Sequence, residues 1–180
     1  LKGWVEQLVM TLGNSGARYV AETNNPSYHP GRCAKVYLGD DCLGVLGQIH
    51  PAVAKNYGVD AELYCAELSF DRLFAHKGGT PVFKPLPKFP AVTRDIAIVC
   101  DRSIPVGELS ECIRRHGGEL LRDVRFFDVY AGSHIAPGKK SVAFSLSMRA
   151  EDQTLTDDHA EETVKRVLNA LAERFGAVIR

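Results

Sequence analysis

The chain has 180 residues, and its 22 lysines and arginines balance 22 aspartates and glutamates, so its formal net charge is zero. Apolar residues make up 45% of the sequence and charged residues 24%, which is typical of a folded globular protein and excludes a disordered tail. The balanced charge argues against non-specific binding of nucleic acid, and the lack of a long apolar run predicts no membrane span.

The first part of the chain, residues 1–76, is predicted to be a mixed α/β domain. Apolar residues from Trp4 to Leu12 recur at helical spacing, and Gly13 is a plausible stop. The other predicted elements are a strand at 34–38, its hairpin partner at 42–49, a short helix from Pro51 and a strand at 63–70. These elements make a thin core, so we expect this part to pack against something missing from the chain. A helical pattern that begins directly after Leu1 also suggests a fragment of a longer protein.

A proline-rich linker is predicted at residues 77–88. Four of the nine prolines lie between Pro81 and Pro90, and Gly78-Gly79 stands just before them. Proline cannot donate a backbone hydrogen bond and biases the preceding residue toward extended geometry. This composition is typical of a semi-rigid connection between two domains.

The last part, residues 89–180, shows the order strand, helix, strand, strand, helix, strand. The predicted strands are 94–100, 121–130, 141–149 and 177–180, and the helices run from Pro105 to His116 and from Thr156 to Gly176. This order is that of the split βαβ, or ferredoxin-like, fold, so the fold class is α+β. Thr156 can cap the second helix, although His159 stands where glutamate would complete a capping box.

Alternation along these strands separates a core face from an open face that the helices do not cover. Val142, Phe144 and their alternate neighbours are apolar and predict the core, and Phe127 and Val129 are assigned to it as well. The open face then carries Phe126, Asp128 and Tyr130, with small and polar residues from the strand at 141–149. Aromatic side chains on an open sheet can stack unpaired bases, and a carboxylate can accept from a base edge. Alternatively, the two aromatics pack on a neighbouring domain.

The run Phe89-Pro-Ala-Val-Thr-Arg-Asp-Ile-Ala97 resembles the start of a ferredoxin-fold anticodon-binding domain, the one found in the β subunits of bacterial phenylalanine–tRNA ligases. Further matches are Val124-Arg-Phe-Phe-Asp-Val-Tyr130, Pro137-Gly-Lys-Lys-Ser141, Thr154-Leu-Thr-Asp157 and Phe175-Gly-Ala-Val-Ile-Arg180. His29-Pro-Gly-Arg32 and Gly44-Val-Leu-Gly-Gln-Ile-His-Pro51 resemble the end of the family's non-catalytic, class II-like core domain.

The resemblance implies a cytoplasmic α2β2 ligase that attaches phenylalanine to tRNA(Phe) with ATP and Mg²⁺. In that family the α subunit holds the aminoacylation site, so we expect no catalytic residue, cofactor or metal ligand in this chain. The expected partners are tRNA(Phe) and the α subunit, with no membrane. The family's anticodon contacts correspond by motif to Ala97, Asp128, Tyr130, Ser141 and Arg180. The alternation adds Phe126, and the basic residues expected near phosphates are Lys139, Lys140 and Arg149.

Two other functional classes compete with this interpretation of the sequence. A regulatory small-molecule domain of ferredoxin-like fold is the main alternative, and a phosphate hydrolase would need a glycine-rich loop that Asp101-Arg-Ser103 does not provide. Arg94 and Asp95 are interpreted as a structural ion pair, and His29 and His50 as structural residues. The five cysteines form no C-x-x-C motif, so we expect reduced, buried thiols and no zinc site.

Overall fold

The computed structural model describes residues 1–14, 16–79, 82–83 and 85–180. It divides into two compact units, Leu1–Phe83 and Lys84–Arg180, and the boundary between them in the sequence falls within the predicted linker. Thr80, Pro81 and Lys84 of that linker lie outside the described residues. Among the residues that are described, no helix is both long and apolar enough to cross a bilayer.

The first unit is built on a four-stranded antiparallel sheet in the order β1-β2-β3-β4. Its elements are α1 (Lys2–Thr11), β1 (Arg18–Ala21), β2 (Tyr28–Leu38), β3 (Asp41–Ile49), α2 (Pro51–Asn56), β4 (Tyr64–Leu68) and α3 (Phe70–Ala75). Val5 and Val9 of α1 pack with Val36, Leu43 and Leu73 in the core of this unit. The opposite side of α1 leaves Trp4 and Leu8 exposed, so only one stripe of the predicted apolar helix is buried.

Three elements of this unit differ from the sequence prediction. Strand β2 begins at Tyr28, six residues before the predicted start. Strand β1 was not predicted, because Arg18–Ala21 is only four residues long and mostly exposed. The predicted strand at 63–70 ends early, and Phe70 instead begins α3. The reason is Ser69, whose hydroxyl accepts a hydrogen bond from the Arg72 backbone N–H at 3.4 Å and so caps the helix.

The glycines and histidines of the two family-like motifs have structural roles. A Cβ atom at Gly47 would lie 2.5 Å from the Arg32 carbonyl oxygen, so glycine lets β2 and β3 approach closely. His50 caps α2 by accepting from the Ala52 backbone N–H at 3.2 Å. His29 accepts from the Gly31 backbone N–H at 3.0 Å, in the part of β2 where the pairing with β3 is irregular.

The second unit confirms the α+β, ferredoxin-like fold class. Its elements are β5 (Val92–Asp101), α4 (Val106–Gly117), β6 (Leu121–Tyr130), β7 (Lys139–Met148), α5 (Asp157–Phe175) and β8 (Val178–Ile179). The antiparallel sheet has the order β6-β7-β5-β8, which places β5 and β7 in the centre. This sheet order, combined with the chain order strand, helix, strand, strand, helix, strand, is the split βαβ arrangement.

Both helices of this unit cover the same face of its sheet. Leu109 and Ile113 of α4 and Leu171 of α5 are fully buried against Ile98 and Phe144 of the central strands. Amphipathic helices bury their apolar stripes in this way, and the burial contributes roughly 25 cal/mol for each Å² of apolar surface removed from water. The opposite face of the sheet receives no helix of this unit.

Some finer predictions about this unit need correction. Helix α5 begins after Thr156 as expected, but the Thr156 hydroxyl lies 2.9 Å from Nδ1 of His159 and makes no capping bond to the backbone. Arg94 pairs with Asp157 at the start of α5 and not with its neighbour Asp95. The five cysteines are free thiols, yet Cys42 and Cys65 are only half-buried.

Candidate nucleic-acid interface

The open face of the second sheet can be defined from the pairing of its strands, because directly opposed residues point to the same side. Ile98 of β5 and Val142 of β7 are opposed and belong to the core, so the alternate residues face away from the helices. The open face comprises Thr93, Asp95, Ala97 and Val99 of β5, Asp123, Arg125, Asp128 and Tyr130 of β6, and Ser141, Ala143, Ser145 and Ser147 of β7.

Four of the predicted contact residues lie together at one end of this face. Tyr130 is directly opposite Ser141, and Asp128 is directly opposite Ala143, one step further along the sheet. Ala97 is the partner of Ala143 on the other side. The small side chains of β7 therefore form a low strip between the polar residues of β6 and strand β5.

Arg180 joins this group from the far edge of the sheet. Its backbone N–H donates to the Ala97 carbonyl oxygen at 3.0 Å, which continues the pairing of β8 with β5. Its guanidinium carbon lies 5.5 Å from the centre of the Tyr130 ring, within the range of a cation–π contact. Since Tyr130 lies on β6, the arginine side chain reaches across the two central strands.

Ser141 is less accessible than the sequence suggested. We expected it to let a ligand approach closely, but only 4% of its surface is exposed. It lies between Val99 and Tyr130 on the open face of the sheet. The Ser141 hydroxyl is therefore not freely accessible to a ligand in this structure.

The placement of Phe126 on the open face was wrong. Phe126 is opposite Phe144 in the ladder, and the two rings meet edge to face with centroids 6.1 Å apart on the helix side of the sheet. A β-bulge at Phe127 then inserts an extra residue, so that Asp128 and Tyr130 return to the open face. Phe127, predicted to lie in the core, is 51% exposed.

The three basic residues proposed for phosphate contacts have different surroundings. Lys139 lies at the rim of the sheet, with Nζ 3.0 Å from a carboxylate oxygen of Asp101. Lys140 points to the helix side, is 9% exposed and donates to the Ile104 carbonyl oxygen, so its assignment to phosphate is wrong. Arg149 follows the end of β7 and is half-buried.

Sequence reasoning missed Arg125, which is exposed on the open face opposite Ser145. Unbroken alternation counted back from Asp128 assigns Arg125 to the core side, so the bulge concealed it. No sequence signal in Phe126-Phe127 marks which residue is the extra one. Arg125 shares its end of the face with Asp95 and Asp123, so the local charge there is not positive.

The open face carries charges of both signs. Its carboxylates are Asp95, Asp123 and Asp128, and its cations are few, so it does not attract phosphate everywhere. The Tyr130 ring offers a stacking surface, Asp128 is an exposed acceptor, and Arg180 is a planar donor. Within the described part of the chain, no group of three or more His, Cys, Asp or Glu side chains could hold a metal ion.

Comparison with known proteins gives matches along both units. Residues 87–180 match the family model described as the ferredoxin-fold anticodon binding domain. Residues 1–70 match the model described as the phenylalanyl tRNA synthetase beta chain CLM domain. The first of these models covers more than half of the chain.

Curated relatives agree with these models. The chain is 41% identical to a protein of Clostridium tetani, 42% to one of Clostridium acetobutylicum and 43% to one of Symbiobacterium thermophilum, in each case over its full length. All three are named phenylalanine–tRNA ligase beta subunit. The chain spans 23%, 23% and 20% of these relatives, respectively, or about a fifth to a quarter of their length.

Proposed function

Because the chain belongs to the family of ferredoxin-fold anticodon-binding domains, we propose that it is the tRNA-binding part of a phenylalanine–tRNA ligase β subunit. The single observation that carries this proposal is the cluster of Tyr130, Asp128 and Arg180 at one end of the open face. An open antiparallel sheet with an aromatic platform is a common surface for unpaired bases.

In this proposal each residue has a distinct chemical task. Tyr130 stacks one anticodon base, which is worth about 1–3 kcal/mol for a base on an aromatic ring. Asp128 accepts a hydrogen bond from an amino or imino group of a base edge, and this contact carries sequence information. Arg180 and Lys139 contact phosphate or base, while Ala97 and Ser141 keep the surface low enough for the RNA to approach.

The partners of the whole enzyme follow from the same proposal. The ligase would be a cytoplasmic α2β2 assembly in which the α subunit joins phenylalanine to tRNA(Phe). In such an assembly, ATP and Mg²⁺ would be used at the aminoacylation site of the α subunit. The first unit would belong to the core domain of the β subunit and contribute to assembly.

A regulatory small-molecule domain of the same fold is the less favoured alternative. It would bind its ligand at an edge between helix and sheet and dimerise through strands. The concavity between α4 and α5 is wide open and is lined by exposed charged residues such as Glu162 and Lys165. Enclosed, mostly apolar pockets are the usual sites for small molecules, so this concavity does not support the alternative.

The test is a binding titration of the 180-residue chain with the anticodon stem-loop of tRNA(Phe). A stem-loop of equal length with a different anticodon serves as the control, and both are measured at the same salt concentration, since phosphate contacts depend on salt. We expect the phenylalanine anticodon to bind more tightly. Equal affinity for the two stem-loops would contradict anticodon recognition by this chain.

A further inference from the structure

Gly132 lies in the connection between β6 and β7, two residues after Tyr130, and has no part in the proposed contacts. A Cβ atom built on Gly132 would lie 2.2 Å from the Tyr130 hydroxyl oxygen and 2.4 Å from the ring carbon that bears it. Both distances are far below van der Waals contact. The tip of the Tyr130 ring thus occupies the space that any side chain at position 132 would need.

The backbone of this residue does not itself require glycine. Gly132 is not among the residues with positive φ, whereas Gly138 in the same connection has a φ of +80°. An L-residue could adopt the Gly132 conformation without strain. The need for glycine at position 132 therefore comes from the neighbouring ring and not from the turn.

We propose that Gly132 is a positioning residue for the anticodon site, and this inference rests on the function proposed above. The absence of a side chain at position 132 lets the Tyr130 ring lie close against the backbone of Gly132. In this orientation the ring meets the Arg180 guanidinium and presents a stacking surface for an RNA base. Holding the ring in one orientation before binding reduces the entropy that RNA binding must offset.

The clash that a methyl group would create is with the end of a flexible side chain. Tyr130 is only partly buried, so its ring can turn away, and the fold need not change. We therefore expect Gly132→Ala to lower RNA affinity with little change in the stability of the domain. Most substitutions that disturb packing instead lower the free energy of unfolding of the protein.

The experiment combines Gly132→Ala with Tyr130→Ala and the double variant in the full 180-residue chain. A matched control is Gly107→Ala on α4, because a Cβ atom there meets no atom within 4 Å and its φ is not positive. Binding of the phenylalanine anticodon stem-loop is measured at fixed salt, together with the urea midpoint of unfolding. In the absence of RNA, the ring resonances of Tyr130 are followed by NMR.

We expect Gly132→Ala to weaken binding by several-fold, up to the loss seen for Tyr130→Ala, while Gly107→Ala binds like the wild type. The double variant should lose no more than Tyr130→Ala alone, since the methyl group then has no ring to displace.

Normal affinity of Gly132→Ala, additive losses in the double variant, or unmoved Tyr130 resonances would each overturn the role of Gly132. If the wild-type chain fails to prefer its anticodon, the proposed function fails and the affinity role of Gly132 fails with it. Shifted Tyr130 resonances would then show that Gly132 still sets the orientation of the ring.

Discussion

The guanidinium of Arg180 covers the ring of Tyr130, with 5.5 Å between the guanidinium carbon and the ring centre. In the proposed function, the same ring receives an anticodon base. A base that stacks on the face of the ring under the guanidinium must displace Arg180. Ser141, directly opposite Tyr130 in the sheet, is 4% exposed without RNA.

The first prediction concerns the stacking platform itself. We expect Tyr130→Ala to weaken binding of the phenylalanine anticodon stem-loop by about 1–3 kcal/mol, because it removes one base–aromatic stack. Tyr130→Phe keeps the ring and should retain most of the affinity. The measurement is a titration at fixed salt. Equal affinity of the wild type and Tyr130→Ala would contradict the assignment.

The second prediction separates two neighbouring lysines. Lys139→Ala should lower the dependence of log K on log[salt] by about one unit, as expected for the loss of one phosphate contact. Lys140→Gln should leave this slope unchanged and lower the free energy of unfolding, because Lys140 is buried and bonded to Ile104. A changed salt slope for Lys140→Gln would contradict the orientation of this side chain.

The third prediction concerns the core beneath the interface. Leu171 of α5 is fully buried among residues of β5 and β7, so Leu171→Ala should reduce the free energy of unfolding by about 2–5 kcal/mol. Lys165→Ala, on the exposed side of the same helix, should change it by less than about 0.5 kcal/mol. Urea unfolding followed by circular dichroism measures both. Similar losses in the two variants would contradict the burial of Leu171.

The fourth prediction concerns pH. Burial raises the pKa of the Cys100 thiol and of the Cys112 thiol in the folded state. The neutral thiols therefore stabilise the fold fully below the pKa of the unfolded chain, which is about 8.5. This contribution is lost as the pH rises through the raised folded values.

Urea unfolding at pH 7, 9 and 10 tests this on the wild type and on a Cys100→Ala, Cys112→Ala variant. Tyrosines and lysines also titrate in this range, so the informative quantity is the difference between the two proteins. The stability advantage of the wild type should shrink as the pH rises. An advantage that stays constant or grows would show that the folded thiols ionise at least as easily as the unfolded ones.

Much of the second unit could be predicted from the sequence, because its strands and helices carry strong local patterns. The apolar alternation at Val142 and Phe144 assigned the core face of β7 correctly. The same rule failed at Phe126, because a β-bulge shifts the alternation and depends on pairing with β7, which the sequence does not report. The bulge was also the reason that Arg125 was missed.

Other features that the sequence analysis missed also depend on contacts between distant segments. Lys140 looked like a surface cation beside Lys139, but alternation in β7 turns it to the opposite side, where it meets a carbonyl oxygen from the segment before α4. The environment of Lys140 is set by this contact between distant segments. The closeness of Gly132 to Tyr130 is equally invisible in the sequence, because it depends on how the ring folds over the chain.

The bulge at Phe127 also has a consequence for self-association. Strand β6 forms an edge of the sheet and leaves Phe126, Phe127 and Val129 between 43% and 51% exposed. A flat edge with this composition would invite a second copy to add its own strand, a common route to aggregation. An extra residue bends and twists the edge, so a straight partner strand would pair with it poorly. We therefore expect the irregularity that directs Tyr130 toward the open face to disfavour such pairing as well.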